Sequence, residues 1–129
     1  MNPKGWIGVD LDGTLAEYDY WRGINHIGEP IPVMVEYVKD LLELGVEVRI
    51  FTARLQEPDA LVFIQAWCKK VFGTILPVTD KKDFSMVWMI DDRSSNPMDD
   101  DWEESPIILA QLASRHWDSP KAPPKEMAK

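Results

Sequence analysis

Two aspartates that directly follow a short apolar run constrain the fold of this chain more than any other feature. The run covers residues 6–9, and the aspartates are Asp10 and Asp12. An apolar run of this length before a turn signal is typical of a buried strand. Because side chains two residues apart in an extended chain point the same way, both carboxylates are expected to converge at the strand's carboxyl end. With Gly13 and Thr14 beside them, they suit a hard cation such as Mg²⁺ together with a phosphate group. The same residues also fit a plain Asp-Gly turn with solvated acids.

Length, charge and cysteine content limit the class of protein. The 129 residues favour one domain over residues 1–118, with a flexible tail over residues 119–129. A net charge of −8 argues against extended contact with nucleic acid or with an anionic membrane surface. The single cysteine, Cys68, excludes an internal disulfide framework and fits a reducing compartment. No signal peptide and no apolar stretch long enough to span a membrane is visible, so we expect a cytoplasmic protein.

Apolar runs alternate with helix-like stretches, and this alternation predicts a parallel sheet. Pro30 and Pro32 favour a helix start and Gly45 a helix end, which predicts a helix between them. A second helix over residues 58–72 is apolar almost all round and is expected to be well buried, and the strand over residues 86–90 is expected to be fully buried. Strand–helix–strand units with short connections form right-handed parallel crossovers. We therefore predict a doubly wound, Rossmann-like, mostly parallel sheet in a three-layer α/β/α arrangement. The remaining predicted elements are strands over residues 6–9, 46–51 and 74–78, a polar loop over residues 94–106 and a terminal helix over residues 107–117.

The second predicted strand ends at a group suited to phosphate. Ligands of open parallel sheets bind beyond the carboxyl ends of the strands. Thr52, Ala53 and Arg54 follow this strand, and a hydroxyl with backbone amides can hold a phosphate oxygen while an arginine pairs with it bidentately. An ordinary helix N-cap at Thr52 and a surface charge at Arg54 are the alternatives.

Charged residues also follow the third and fourth predicted strands. Lys81 and Lys82 come after the third, either as solvated turn charges or as cations that neutralise carboxylate and phosphate. Asp91 and Asp92 come directly after the fourth, where two acids at the end of a buried strand are costly unless they meet a cation. The four strand ends are therefore expected to form one site.

The irregular stretch over residues 16–30 is predicted to be a loop or small flap beside that site. It carries Tyr18, Trp21, Arg22 and His26 among several turn-forming residues. These side chains either contact a ligand or cover the edge of the core.

Taken in order, Asp-x-Asp-Gly-Thr, a threonine, a lysine and Asp-Asp resemble the four motifs of the haloacid dehalogenase superfamily of phosphohydrolases. The resemblance covers residues 6 to about 96. Receiver domains also use acids, a threonine and a lysine, but their acids all precede the threonine. The resemblance implies that Asp10 is the nucleophile of an aspartyl-phosphate mechanism and that Asp12 is the general acid. It further implies a bound Mg²⁺, phosphate-binding residues and a catalytic lysine. The Mg²⁺ ligands would be Asp10, the backbone carbonyl of Asp12, Asp91 and, directly or in the outer shell, Asp92; the phosphate-binding residues would be Gly13, Thr14, Thr52, Ala53 and Arg54.

The catalytic lysine and the substrate are less constrained. Lys82 is preferred over Lys81, because the Lys-Asp pair before Phe84 resembles the context in small members of the superfamily. The intervals between the motifs leave no room for a separate cap domain. We therefore expect a capless Mg²⁺-dependent phosphomonoester hydrolase, monomeric or a small homo-oligomer, acting on a small phosphorylated metabolite or nucleotide. The alternatives are a phosphatase for polynucleotide ends and a catalytically idle module that binds metal or phosphate.

Overall fold

A computed structural model describes residues 5–93 of the chain. The loop, terminal helix and tail predicted over residues 94–129, and with them the domain limit at residue 118, lie outside the described residues. The described elements are β1 (Trp6–Asp10), α1 (Pro32–Glu43), β2 (Glu47–Phe51), a short 3₁₀ helix (Ala53–Gln56), α2 (Ala60–Phe72), β3 (Val78–Thr79) and β4 (Met86–Ile90).

The four strands form one parallel sheet in the order β3-β2-β1-β4. β1 pairs with β2 from Trp6↔Glu47 to Asp10↔Phe51, and it pairs with β4 on its other side. The strand order thus reverses at β1, which places a topological switch point at the carboxyl ends of β1 and β4. The predicted Rossmann-like α/β fold with a parallel sheet is confirmed.

Both helices pack on one face of this sheet. The two crossovers, β1 to β2 and β2 to β3, run in the same direction, and right-handed crossovers then place their helices on the same side. Val38 of α1 and Ile64 of α2 accordingly share one buried cluster with Val9 and Ile50 of the sheet. The described residues show helices on one face of the sheet, and the helix predicted over residues 107–117 lies outside them.

The helix boundaries follow the predicted signals. Pro32 is the first residue of α1, and Gly45, with φ 81°, follows its end. Gly73 caps α2 in the left-handed conformation with φ 76°, where a side chain would be strained. Within residues 5–93, no helix combines the length and apolar character that crossing a membrane requires.

The expectation that α2 and β4 are well buried is wrong. On α2 a single stripe, Ala60, Ile64 and Cys68, is buried, whereas Val62 is 65% exposed. Trp88 of β4 is 68% exposed. The reason is the layering: among the described residues α2 buries only the stripe that faces the sheet, and β4 is an edge strand of the sheet.

The sequence predicts the third strand over residues 74–78, but β3 covers only Val78–Thr79. Two residues before it, Thr74 and Leu76, form hydrogen bonds with Cys68 of α2. The Cys68 thiol donates a hydrogen bond to the Thr74 carbonyl (3.3 Å) and accepts one from the Leu76 N–H (3.2 Å). Burial raises the pKa of this thiol. Cys68 is therefore a packed structural cysteine, as its sequence context indicates.

Asp83 anchors the start of β4 to the start of β1. Its Oδ1 accepts hydrogen bonds from the Trp6 indole N–H and the Ser85 backbone N–H, both at 2.8 Å. Arg49 lies 3.7 Å from Asp83 Oδ2 and stacks on Trp6 at 4.5 Å. The indole bond, followed by the Ser85 bond and the Arg49 charge, lowers the pKa of Asp83 below its usual 3.8.

Replacing Asp83 by Asn is expected to destabilise the protein at neutral pH but not in acid. Asn keeps the acceptor oxygen and removes the charge. A carboxyl whose pKa is lowered by folding stabilises the native state above its unfolded pKa, and this contribution is lost as the pH falls through the folded pKa. In urea unfolding, the free-energy difference between the parent and Asp83→Asn should therefore narrow between pH 7 and pH 3. Asp40→Asn, at an exposed position on α1, is the control, and a difference that stays constant for Asp83→Asn would contradict the assignment.

Candidate active site

Three aspartates meet at the switch point of the sheet. Asp10 is the last residue of β1, and Asp91 and Asp92 follow the neighbouring strand β4. One carboxylate oxygen from each lies within 4.8 Å of the others. Asp10 and Asp91 are half-buried and Asp92 is exposed, while the Arg93 N–H donates to Asp91 Oδ1 at 2.9 Å. Three convergent carboxylate oxygens with partial solvent access fit a hard divalent cation, which takes oxygen ligands and retains water. The Asp12 side chain is not among them.

A tight turn after β1 orients Asp10. The Leu11 carbonyl accepts hydrogen bonds from the N–H groups of Thr14, Leu15 and Ala16. Gly13 has φ 89°, a conformation that favours glycine, and its N–H donates to the Ala16 carbonyl at 2.8 Å. The turn brings the Thr14 hydroxyl to 3.3 Å from Asp10 Oδ2, to which it donates. The Gly13 N–H and the Thr14 hydroxyl therefore both form hydrogen bonds within the protein, and these bonds hold the turn beside Asp10.

Asp12 forms a buried ion pair with Arg54. Arg54 Nε donates to Asp12 Oδ2 at 2.7 Å and Arg54 Nη2 donates to Oδ1 at 2.8 Å, and the two side chains are 4% and 8% exposed. This bidentate geometry gives strong charge-assisted hydrogen bonds. The sequence predicts phosphate as the partner of Arg54, whereas the structure pairs it with the second aspartate of the motif.

Thr52 lies at the same edge and caps the 3₁₀ helix. Its hydroxyl accepts a hydrogen bond from the Arg54 N–H at 3.1 Å, and its own N–H donates to the Thr79 carbonyl at 2.9 Å. The helix-cap interpretation of Thr52 is thus correct. Since a hydroxyl both donates and accepts, this bond leaves the hydroxyl proton for a ligand. Ala53 is exposed.

Both candidate lysines lie at the surface. Lys81 is 85% exposed and lies 3.6 Å from Asp80. Lys82 is exposed and immediately precedes Asp83, which is fixed at the opposite edge of the sheet. The catalytic lysine stays a prediction.

The flap (residues 16–30) is a closed loop beside Asp12. Its ends are held together by a hydrogen bond from the Glu17 N–H to the Glu29 carbonyl at 2.8 Å. A Cβ at Gly28 would lie 2.0 Å from the Glu17 carbonyl oxygen, so this approach requires glycine. The Trp67 indole N–H donates to the Gly28 carbonyl at 3.0 Å and ties the loop to α2. The flap therefore has a fixed neck.

The aromatic residues of the flap divide between its inner and outer sides. Trp21 is buried and covers the Arg54 guanidinium at 4.8 Å. The pKa of Tyr18 is raised by burial and, to a smaller extent, by the charge of Asp12. On the outside, Arg22 bonds to Asp19 and, with the Tyr20 N–H, lowers the pKa of Asp19 to about 2. Sequence reasoning missed the role of Trp21 and the pairing of Asp12 with Arg54. Opposite charges just beyond two adjacent parallel strands are a signal that could have indicated this pairing.

Comparison with known proteins informs the fold alone. No family model and no curated protein matches the chain. A solved structure of a conserved protein coded by a locus of Bacteroides thetaiotaomicron is similar, with a TM-score of 0.55 and 24% sequence identity. The match covers 91% of this chain and 97% of that chain. At this identity the likeness supports the α/β architecture alone.

Proposed function

We propose that the protein is a Mg²⁺-dependent phosphomonoester hydrolase that acts through an aspartyl-phosphate on Asp10. The observation that carries the proposal is the convergence of Asp10, Asp91 and Asp92 within 4.8 Å at the switch point of the sheet. The order of the motifs, which resembles the haloacid dehalogenase superfamily, supports the same chemistry.

The residues at this edge supply the parts that phosphoryl transfer needs. An Asp10 carboxylate oxygen attacks phosphorus as the bond from phosphorus to the ester oxygen breaks. The departing ester oxygen takes a proton from Asp12. In the second half, Asp12 takes a proton from the water that attacks phosphorus and releases Asp10 as a carboxylate. The hydrogen bond from the Thr14 hydroxyl to Asp10 Oδ2 restrains the rotation of the nucleophilic carboxylate. The Thr52 hydroxyl and the Ala53 N–H would hold phosphoryl oxygens, because the N–H groups of Thr52 and Arg54 already bond within the protein. Lys82 is kept as the proposed catalytic lysine.

Asp10, Asp91 and Asp92 would hold the Mg²⁺ ion. When bound, the ion supplies the positive charge that allows an anionic nucleophile to approach an anionic phosphate. Without such a cation, three carboxylates and a phosphate group in one cleft would repel one another strongly. The donor set consists of oxygens alone, which suits Mg²⁺ better than a thiophilic metal.

The substrate is proposed to be a small phosphorylated metabolite or nucleotide. The described chain has only the short flap beside the site, and Tyr20 at its outer side is 59% exposed. A polynucleotide end needs a small footprint too, but the net charge of −8 disfavours contacts further along a nucleic acid.

Release of phosphate from p-nitrophenyl phosphate and from a panel of nucleotides and sugar phosphates tests this proposal. We expect hydrolysis with Mg²⁺, loss of hydrolysis in EDTA and recovery when Mg²⁺ is returned in excess. Absence of hydrolysis across the panel, together with retained Mg²⁺ binding, would favour the idle binding module. Hydrolysis that persists in EDTA would contradict the metal assignment, and a steep loss of substrate binding with salt would indicate polynucleotide ends.

A further inference from the structure

Arg54 has all of its donors engaged within the protein. A guanidinium carries five N–H donors. Two of them form the fork on Asp12 at 2.7 and 2.8 Å, and the second Nη2 proton bonds to the His26 carbonyl at 2.9 Å. Nη1 faces the carbonyls of Gly23 and Ile24, each at 3.5 Å. A phosphate group could therefore bind Arg54 only if one of these contacts were given up.

The planar face of the guanidinium is covered as well. Trp21 lies over it at 4.8 Å, and Arg54 as a residue is 5% exposed. A stacked and fully hydrogen-bonded arginine is held in one orientation, since the fork and the ring together fix its plane. An arginine held in this way can fix the positions of the groups that it contacts.

The contacts of Arg54 link the tip of the flap to the end of β1. The neck is closed by other bonds, from Glu17 to Glu29 and from the Ile31 N–H to the Leu15 carbonyl at 2.7 Å. The tip, by contrast, presents three backbone carbonyls to Arg54, which also holds Asp12. One side chain therefore sets both the direction of the Asp12 carboxylate and the position of the flap tip.

We propose that Arg54 is a positioning residue that orients Asp12 for proton transfer and fixes the flap tip beside it. The part concerning proton transfer rests on the proposed function, whereas the part concerning the flap stands on the contacts alone. When Asp12 carries the proton that it donates, the protonated oxygen no longer accepts from Arg54, and one arm of the fork opens. The other arm still holds the second oxygen. Proton donation to a leaving oxygen depends on geometry, so a carboxyl that is free to rotate donates less effectively.

Arg54→Lys is the variant that tests the first part, because it keeps the charge beside Asp12 and removes the fork. The readout is kcat/KM for phenyl phosphate and for p-nitrophenyl phosphate. Phenol is the poorer leaving group and depends more on proton donation, so its ester should lose about tenfold more activity than the nitrophenyl ester. Asp12→Asn, which removes the proton donor itself, should widen the ratio in the same direction. An equal loss for both esters in Arg54→Lys would overturn the role in proton transfer.

Hydrogen exchange over residues 17–30, followed by mass spectrometry, tests the second part without any activity. Exchange in the flap should be faster in Arg54→Lys than in the parent, and unchanged exchange would overturn the inference. If Arg54→Lys does not fold, Asp12→Asn tests the same ion pair by changing the other residue of the pair. We expect faster hydrogen exchange in the flap of that variant too.

Arg49→Lys is the matched control. Arg49 also stacks on a tryptophan and pairs with an acid, Glu47, but towards the amino end of the sheet. It should change neither the ester ratio nor the flap exchange. A parent protein that hydrolyses no ester would refute the proposed function, and flap exchange would then decide the role of Arg54 by itself.

Discussion

Replacing Asp10 by Asn is expected to abolish hydrolysis, with kcat reduced by roughly 10⁴-fold or more, because the nucleophile is lost while its shape is retained. Asn also keeps an oxygen that can accept the hydrogen bond from the Thr14 hydroxyl. The fold should survive the change. Removing one of three clustered carboxylates relieves repulsion in the metal-free protein, so the Tm without metal should be equal to or above that of the parent.

The measurement is steady-state release of phosphate by Asp10→Asn beside the parent, with the Tm of both recorded in EDTA. Asp80→Asn serves as the control, since Asp80 follows β3 at the same edge but pairs with Lys81 outside the carboxylate cluster. It should retain parental activity. Turnover by Asp10→Asn within tenfold of the parent would exclude Asp10 as the nucleophile.

Replacing Asp91 by Asn is expected to weaken Mg²⁺ binding by about tenfold or more, because changes even to groups that only support metal ligands cost about 10- to 100-fold. The Asn oxygen can still accept the Arg93 N–H, so the turn after β4 should persist. The variant should regain activity at higher Mg²⁺ concentration, which distinguishes a lost metal ligand from a lost catalytic group.

Calorimetric titration with Mg²⁺ measures this effect directly, and the shift of Tm with Mg²⁺ gives a second readout. A ligand at 100 times its Kd stabilises the native state by about 2.7 kcal/mol, so a weakened site loses much of that shift at the same concentration. Asp80→Asn makes the same charge change nearby and should leave the titration unaltered. An Asp91→Asn titration that matches the parent would remove Asp91 from the metal site.

The parts of the fold that local chemistry determines could be predicted from the sequence. Gly45 and Gly73 end the two helices because both adopt positive φ, and Pro32, the first residue of α1, favours its start. Asp10 and Asp91 meet because parallel strands deliver their carboxyl ends to one edge, which follows from the alternation of strands and helices.

The parts that depend on which surfaces are covered could not be predicted. The apolar character of Val62 and Trp88 indicates burial, but neither position lies against another layer among the described residues. The pairing of Asp12 with Arg54 joins residues 42 positions apart, and Arg54 suits a phosphate and a carboxylate equally well. Side-chain chemistry alone therefore does not identify the partner of Arg54. The geometry of the strand ends does, because it brings Asp12 and Arg54 together.

The closed neck of the flap has a consequence for how this protein can diversify. The hydrogen bond between Glu17 and Glu29 closes the loop at its neck. Doubling the length of a flexible loop adds only about 0.6 kcal/mol to the free energy of closing it. Exposed positions such as Tyr20 and Arg22 can thus accept substitutions or insertions with little effect on the sheet. The loop is in this sense an exchangeable module, through which related chains could acquire new ligand preferences while the chemistry at the strand ends stays the same.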